Sequence, residues 1–339
     1  MKNKVYSYRK QRAAWFGPTW INGGTAGAQF GWDVSSAGDA NGDGYDDLLV
    51  SQHGTTGSGG SAYLVYGQSG TYGAIGADAT RSVGIGSITG AKFDRPGELM
   101  TGVTQLGDFN NDGYADFMIS GIQTGSTNTG SSYVVFGGPA IANIGALGVT
   151  NAGSKWFQIE AGSTSGIGIN NHVASWTGDV NGDGYDDLII GAQYTPQLGA
   201  PPYNFGSGAA YVIYGHAGTQ FGAGNDLSLA ALRTDVTKLA DDGNPAGYLF
   251  DAATNTRGIV LGVGASPGYF FGSGAAGLGD RNGDGYADYT VDVDLGGDAG
   301  SVNALLLHRA AKPLLFVAAL VPLATLLYGA FADTLGANP

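Results

Sequence analysis

The sequence predicts an all-β fold of repeated blades, and three observations carry that prediction. Glycine is 62 of 339 residues and only 13% of residues are charged. That profile suits short strands joined by tight turns better than helices with charged outer faces. Hydrophobic residues make up 43%, with Tyr, Phe and Trp recurring inside short apolar runs, so the glycine content does not signal disorder. Finally, one nine-residue acidic segment occurs four times, starting at Asp39, Asp108, Asp179 and Asp280, with spacings of 69, 71 and 101 residues. This period is too long for one solenoid coil and fits a four-stranded blade of a β-propeller.

The elements of each repeat follow in a fixed order. A short glycine-rich strand comes first, as in Gln29-Phe-Gly-Trp-Asp-Val34 or Tyr269-Phe-Phe-Gly-Ser-Gly274. The acidic segment follows. A strand with apolar bias comes next, at Leu48–Val50, Phe117–Ile119, Leu188–Ile190 and Tyr289–Val291. After a Gly/Ser-rich turn, a further strand ends in glycine: Ser61–Gly67, Ser132–Gly137 and Ala210–Gly215. Their β-branched and aromatic content, shortness and glycine borders all favour strand. The long third interval holds residues 217–266, read as an insertion or a degenerate half-blade. The fourth unit departs from the pattern at Ser301-Val-Asn-Ala-Leu-Leu-Leu-His-Arg309, and the β composition is expected to stop near residue 302. The expected division is a basic N-terminal tail over 1–13, propeller repeats over 14–302 and a hydrophobic, transmembrane-type helix over 303–339.

The four segments share the form D-x-N-x-D-G-Y-x-D. The predicted cation ligands are Asp39, Asn41, Asp43, Tyr45 and Asp47 in the first, and Asp108, Asn110, Asp112, Tyr114 and Asp116 in the second. In the third and fourth they are Asp179, Asn181, Asp183, Tyr185 and Asp187, and Asp280, Asn282, Asp284, Tyr286 and Asp288. Calcium is a hard cation that takes roughly six to eight oxygens. Positions 1, 3 and 5 put side-chain oxygens on one side of a turn, and the tyrosine supplies its backbone carbonyl. Asp at position 9 would close the site from the next strand. The loop is like the first half of an EF-hand, but position 12 is Val50, Ile119, Ile190 or Val291 instead of Glu. About four calcium ions are therefore expected, with magnesium disfavoured because it keeps its waters. Asn-Gly and Asp-Gly also make plain hairpin turns. Four copies in one phase argue for more than a turn, although the ions could serve only to stiffen blades.

These residues resemble the FG-GAP repeat of integrin α-subunit propellers and their bacterial relatives. Phe30-Gly31 and Phe271-Gly272 match its Phe-Gly, and Gly191-Ala192-Gln193 approximates its Gly-Ala-Pro. The resemblance covers roughly residues 14 to 300. It implies one blade per repeat, ions in hairpins on one face, a seven-bladed complete ring of which four blades are visible, and an extracellular or cell-surface location. It implies an adhesion or ligand-binding module for a protein or glycan. The alternatives are a non-catalytic propeller region of a secreted hydrolase or lyase, and a structural spacer. The expected ligand surface is the loops Thr55–Gly60, Gly125–Ser131 and Pro196–Gly206, with Tyr194, Tyr203 and Phe205 marking the third.

Other chemistries fit poorly. Net charge is −13, with half the acids in the four loops, and phosphate binding needs a basic face, so nucleic acid is not an expected partner. The basic cluster of Lys2, Lys4, Arg9, Lys10 and Arg12 reads as a solvated tail. No cysteine is present, which removes disulfide and thiolate chemistry. His53, His172, His216 and His308 have no motif neighbours. Gly272–Gly277 matches G-x-G-x-x-G but leads into an acidic loop, not a helix, which argues against a dinucleotide role. Gly264–Gly268 matches G-x-S-x-G, yet Pro267 follows the serine and offers no N–H to an oxyanion hole. No enzyme activity is expected.

The tail is a separate problem. Residues 313–332 are uncharged and mostly apolar, long enough to span a bilayer as a helix. A membrane anchor, a buried helix and a segment foreign to the propeller are the three readings. Lys312-Pro-Leu-Leu-Phe316, then Pro322, then Leu335-Gly-Ala-Asn-Pro339 resemble, over about thirty residues, the first transmembrane helix of the haem-binding membrane subunit of the bacterial methionine sulfoxide reductase system, without that family's later helices or haem-ligating histidines. No signal peptide is read at the N-terminus. Arg309 and Lys312 before the apolar stretch favour a cytoplasmic N-terminus, against the location that the propeller resemblance implies.

Overall fold

The computed structural model describes residues 20–23, 27–55, 59–69, 82–84, 89–95, 97–123, 130–141, 147, 155–160, 174–192, 209–217, 226–228, 236–238, 247–252, 255–261, 270–294 and 302–307. All regular elements among them are strands. In chain order they are β1 (Trp20–Asn22), β2 (Phe30–Gly38), β3 (Asp47–Thr55), β4 (Gly59–Val65), β5 (Ser82–Gly84), β6 (Gly90–Arg95), β7 (Glu98–Gly107), β8 (Asp116–Gln123), β9 (Gly130–Val135) and β10 (Trp156–Glu160). They continue with β11 (Ala174–Gly178), β12 (Asp187–Ala192), β13 (Ala209–Ile213), β14 (Asp226–Ser228), β15 (Val236–Lys238), β16 (Gly247–Ala252), β17 (Asn255–Leu261), β18 (Phe270–Gly279), β19 (Asp288–Asp294) and β20 (Val302–Leu307).

Four antiparallel sheets follow one another as blades. Blade 1 has the order β2-β3-β4-β6, blade 2 β7-β8-β9-β10, blade 3 β11-β12-β13-β17 and blade 4 β18-β19-β20. The first strands of successive blades lie side by side, β2 by β7, β7 by β11 and β11 by β18, as the inner strands of a propeller do. The acidic segment always joins the first strand to the second. Its ninth residue opens the second strand, where Gly38 pairs with Asp47, Gly107 with Asp116, Gly178 with Asp187 and Gly279 with Asp288. One extra residue sits just before that glycine in every blade, a bulge that bends the strand into the loop.

The long third interval, expected to be an insertion or a degenerate half-blade, is strand where it is described. It supplies the fourth strand of blade 3, β17, and extends that sheet with β16 and β15. Its first described strand, β14, instead pairs in parallel with β10 at the edge of blade 2. At the far end β20 pairs with β19 from Val302 to Leu307. The sheet therefore continues past the expected boundary at 302, and Leu305 to Leu307 lie in a strand instead of the expected helix. The apolar residues of that run fit a strand as well as a helix, and β19 gives them a ladder. The apolar stretch 313–332 lies outside the described residues. Among the described residues no helix is long and apolar enough to cross a membrane.

The core forms between blades. Leu49, Ala62, Leu64 and Phe93 of blade 1 pack with Met100, Phe117, Ile119, Tyr133 and Trp156 of blade 2. Ile189, Ala210 and Val212 of blade 3 pack with Ala287, Tyr289 and Val291 around blade 4. Because blades 2 and 3 have neighbours on both sides, their second strands are buried on both faces: Phe117 to Ser120 and all of β12 are buried. A continuous apolar run is what such a strand needs.

Candidate metal centres

All twenty predicted ligands are described, and every loop folds by the same hydrogen-bond circuit. In the first loop, Asp39 Oδ1 accepts from Gly42 N–H at 2.8 Å and Asp43 N–H at 3.0 Å, and its Oδ2 accepts from Gly44 N–H at 2.8 Å. Asn41 Oδ1 accepts from Asp43 N–H at 2.8 Å while its Nδ2 donates to Asp43 Oδ2 at 3.0 Å. Asp43 Oδ1 accepts from Tyr45 N–H at 3.0 Å. The third and fourth loops repeat this around Asp179 and Asp280. The second does so around Asp108 with Asp112 and Gly113 as donors. The sixth position needs a left-handed backbone, with φ of 90°, 93°, 93° and 90° at Gly44, Gly113, Gly184 and Gly285, which only glycine takes without strain.

The ninth residue behaves differently from the first, third and fifth. Asp47 Oδ2 accepts from Ala40 N–H at 3.1 Å and its Oδ1 from Gly67 N–H at 2.8 Å. Asp116 is held by Phe109 and Gly137, and Asp187 by Val180 and Gly215, at 2.8–2.9 Å. Asp288 Oδ2 accepts from Arg281 N–H at 2.8 Å. All four are buried. Burial, reinforced by the acids at positions 1 and 5, pushes Asp116 and Asp187 up to about 8 and moves Asp47 in the same direction. In blades 1 to 3 this carboxylate ties the loop to the end of its own third strand, a role the motif alone did not suggest.

The donor set fits a hard cation in kind, since every side-chain acceptor in the loop is oxygen. Each carboxylate oxygen that accepts an N–H keeps a further lone pair. Among the described residues no three His, Cys, Asp or Glu side chains converge closely enough to hold a metal by themselves. A cation here would draw on the position-3 amide and the position-7 carbonyl as well as the acids.

Successive loops also touch. Ala115 N–H donates to Asp39 C=O at 3.3 Å, Asp186 to Asp108 at 3.4 Å and Ala287 to Asp179 at 2.9 Å. Asp186 adds its side chain: Oδ2 accepts from Asp108 N–H at 2.9 Å, and the Trp176 indole also donates to the carboxylate. Away from the loops, Asp33 Oδ2 accepts from Val103 N–H at 2.9 Å, a second tie between blades 1 and 2.

The other sequence features separate. Gly272–Gly277 lies within strand β18, which leaves no helix N-terminus for a dinucleotide. His53 stacks on Trp32 at 4.5 Å between ring centroids, and His216 Nδ1 contacts Ala217 C=O. His172, His308, Gly264–Gly268, Tyr194, Tyr203, Phe205 and most of the three proposed ligand loops lie outside the described residues.

Residues 176–213, from β11 through the third loop to the end of β13, match the FG-GAP repeat. Blade 3 carries an FG-GAP repeat. The same order of strand, loop, strand and strand recurs in blades 1 and 2. The chain is 32% identical over 180 residues, half of its length and 19% of the relative's, to the phosphatidylinositol-glycan-specific phospholipase D of Bos taurus. A stretch of 34 residues, 10% of this chain and 16% of the relative, is 62% identical to the heme-binding subunit of protein-methionine-sulfoxide reductase of Polaromonas naphthalenivorans (strain CJ2). The chain thus spans less than a fifth of the length of either relative.

Proposed function

We propose that the protein is an extracellular calcium-binding propeller that acts as an adhesion or ligand-binding module for a protein or glycan. The observation that carries this is the fourfold recurrence of one oxygen-lined circuit at the same end of every blade. A single hairpin needs no such conserved ligand geometry to turn. Four ions held by Asp, Asn and carbonyl oxygens would offset two of the three ligand carboxylate charges in each loop and fix the loops through which successive blades touch.

Calorimetric titration of the full chain with calcium, with a thermal melt alongside, tests the reading. About four ions bound with a large rise in melting temperature is the expected result. No binding, or binding without stabilisation, would leave the loops as hairpin turns. Screening the calcium-loaded and chelated protein on immobilised glycans and matrix proteins tests the ligand role. Binding that survives chelation would argue against a metal-dependent module.

The likeness to a phospholipase D favours one alternative, a non-catalytic propeller region of a secreted hydrolase. That reading predicts no hydrolysis by this chain alone in a screen of phosphodiesters, esters and glycans.

A further inference from the structure

Each blade grips the one before it through a head and a socket at the acidic-loop end. The head is the seventh and eighth residues of a loop. The socket is the first, second and fourth residues of the preceding loop. The Tyr114 ring lies over Gly42 and the Tyr286 ring over Gly182, so close that a Cβ at either glycine would collide with it. The eighth-residue N–H donates to the first-residue carbonyl at all three joints. The second residue of each inner socket, Ala40, Phe109 or Val180, is apolar and buried. The glycine before the loop is covered too, Gly38 by Ala115, Gly107 by Asp186 and Gly178 by Ala287.

Among the described residues, the head of blade 1 meets no socket and the socket of blade 4 meets no head. Tyr45 is 44% exposed, whereas Tyr114, Tyr185 and Tyr286 are half-buried. Val34 is 54% exposed, against 6% for Val103 at the matching place in β7. At the other end, a Cβ at Gly279 or Gly283 would meet nothing within 4 Å. The two ends also match in charge. The free head presents exposed Asp46, and the free socket presents exposed Arg281 where the inner sockets bury Ala, Phe or Val. Neither side chain is in an ion pair among the described residues. The joint between blades 2 and 3 shows what an aspartate in the head does: Asp186 caps the N–H of the socket's first residue. Asp46 in that position would cap Asp280 N–H and face the Arg281 guanidinium.

We propose that the free head and free socket are an interaction surface for a second copy of this chain, docked head to socket. The socket is shaped for this nonapeptide, and the chain carries a matching head on its own first blade. The contact is heterologous, so two copies can join their arcs through two such joints. The inference rests on the blade joints and not on cation binding.

Sedimentation velocity of the full chain across a wide concentration range, in a mild detergent that keeps residues 313–332 dispersed, tests it. Reversible association to a dimer is expected. Asp46→Arg or Arg281→Asp alone weakens association at least ~10-fold, with the melting temperature unchanged at concentrations where the parent is monomeric. The double variant, Asp46→Arg with Arg281→Asp, restores opposite charges and returns association to within ~3-fold of the parent. A monomer at every concentration overturns the proposal. So does association that both single variants leave unaltered, which would belong to another surface.

Discussion

Within one acidic loop, Asp183 and Asp187 are four residues apart in sequence but occupy two different environments. Asp183 is exposed, and its partners are its own loop neighbours Asn181 and Tyr185. Asp187 is fully buried and joins Val180 N–H to Gly215 N–H, 28 residues further along the chain. The motif thus combines two tasks: an outer rim of oxygens that can face a cation, and an inner carboxylate that fastens the hairpin to the third strand. The same division holds for Asp112 and Asp116 in blade 2.

Breaking the inner carboxylate has the largest expected effect. Asp187→Ala leaves two buried N–H groups without an acceptor, at roughly 1–3 kcal/mol each. A loss of at least about 2 kcal/mol is expected in urea unfolding of the metal-free protein. Asp187→Asn keeps one acceptor and turns a donor toward the other N–H, so it falls between alanine and the parent. Asp183→Ala, measured the same way, changes stability little. Equal losses at both positions would erase the distinction.

Much of this was legible in the sequence. The nonapeptide, repeated in phase, located all four hairpins and placed position 9 at the first residue of β3, β8, β12 and β19. The glycine-bounded runs located the third strands of blades 1 to 3. The fourth strands were missed, because β6, β10 and β17 carry no acidic loop and no shared ending. Strand β20 was missed because Leu305–Leu307 reads equally well as the start of an apolar helix. The joints were invisible for a different reason: they are contacts between repeats. Glycine at position 4 looked like a turn residue, yet Gly42 and Gly182 also make room for the tyrosine of the next blade. Asn111 holds the same place in the second loop with φ of 55°, a conformation that asparagine tolerates. Asp33, which ties β2 to β7, had no motif to announce it.

Acidity sharpens the same comparison. Burial raises Asp116 and Asp187 to about 8 in the folded protein, well above the unfolded carboxyl value of about 3.9. The fold therefore favours their neutral forms. That stability is fully present below the unfolded value and is lost as pH rises through about 8. In chelator, the melting temperature should fall as pH rises from about 5 to about 9. Bound calcium favours the carboxylate instead, so saturating calcium should flatten or reverse the slope. A melting temperature that rises with pH in chelator would mean that the inner carboxylates are ionised in the metal-free fold.

The outer rim is tested by cation dependence. With calcium at about 100 times its dissociation constant, one site adds about 2.7 kcal/mol to stability. Asp183→Ala should remove one ion from the calorimetric count and about that increment, while leaving the chelated protein near the parent. Asp43→Ala should do the same in blade 1. If either substitution costs stability in chelator and leaves the ion count unchanged, the rim is structural too.

The smallest effect belongs to the joint between blades 2 and 3. Asp186 lies beside the inner carboxylate in sequence but points to the neighbouring blade, accepting from Asp108 N–H and the Trp176 indole. Joints 1–2 and 3–4 have Ala115 and Ala287 in its place and keep only the backbone hydrogen bond. Asp186→Ala converts the middle joint into one of these. The loss is two charge-assisted hydrogen bonds, but at a half-exposed site where water can replace them, so about 1–2 kcal/mol in all, short of Asp187→Ala. Because the altered contact is between blades, the change should appear as faster amide hydrogen exchange in β7 and β11, with β8 and β9 protected as before. Uniform acceleration across both blades would show that Asp186 supports the blades themselves and not the seam between them.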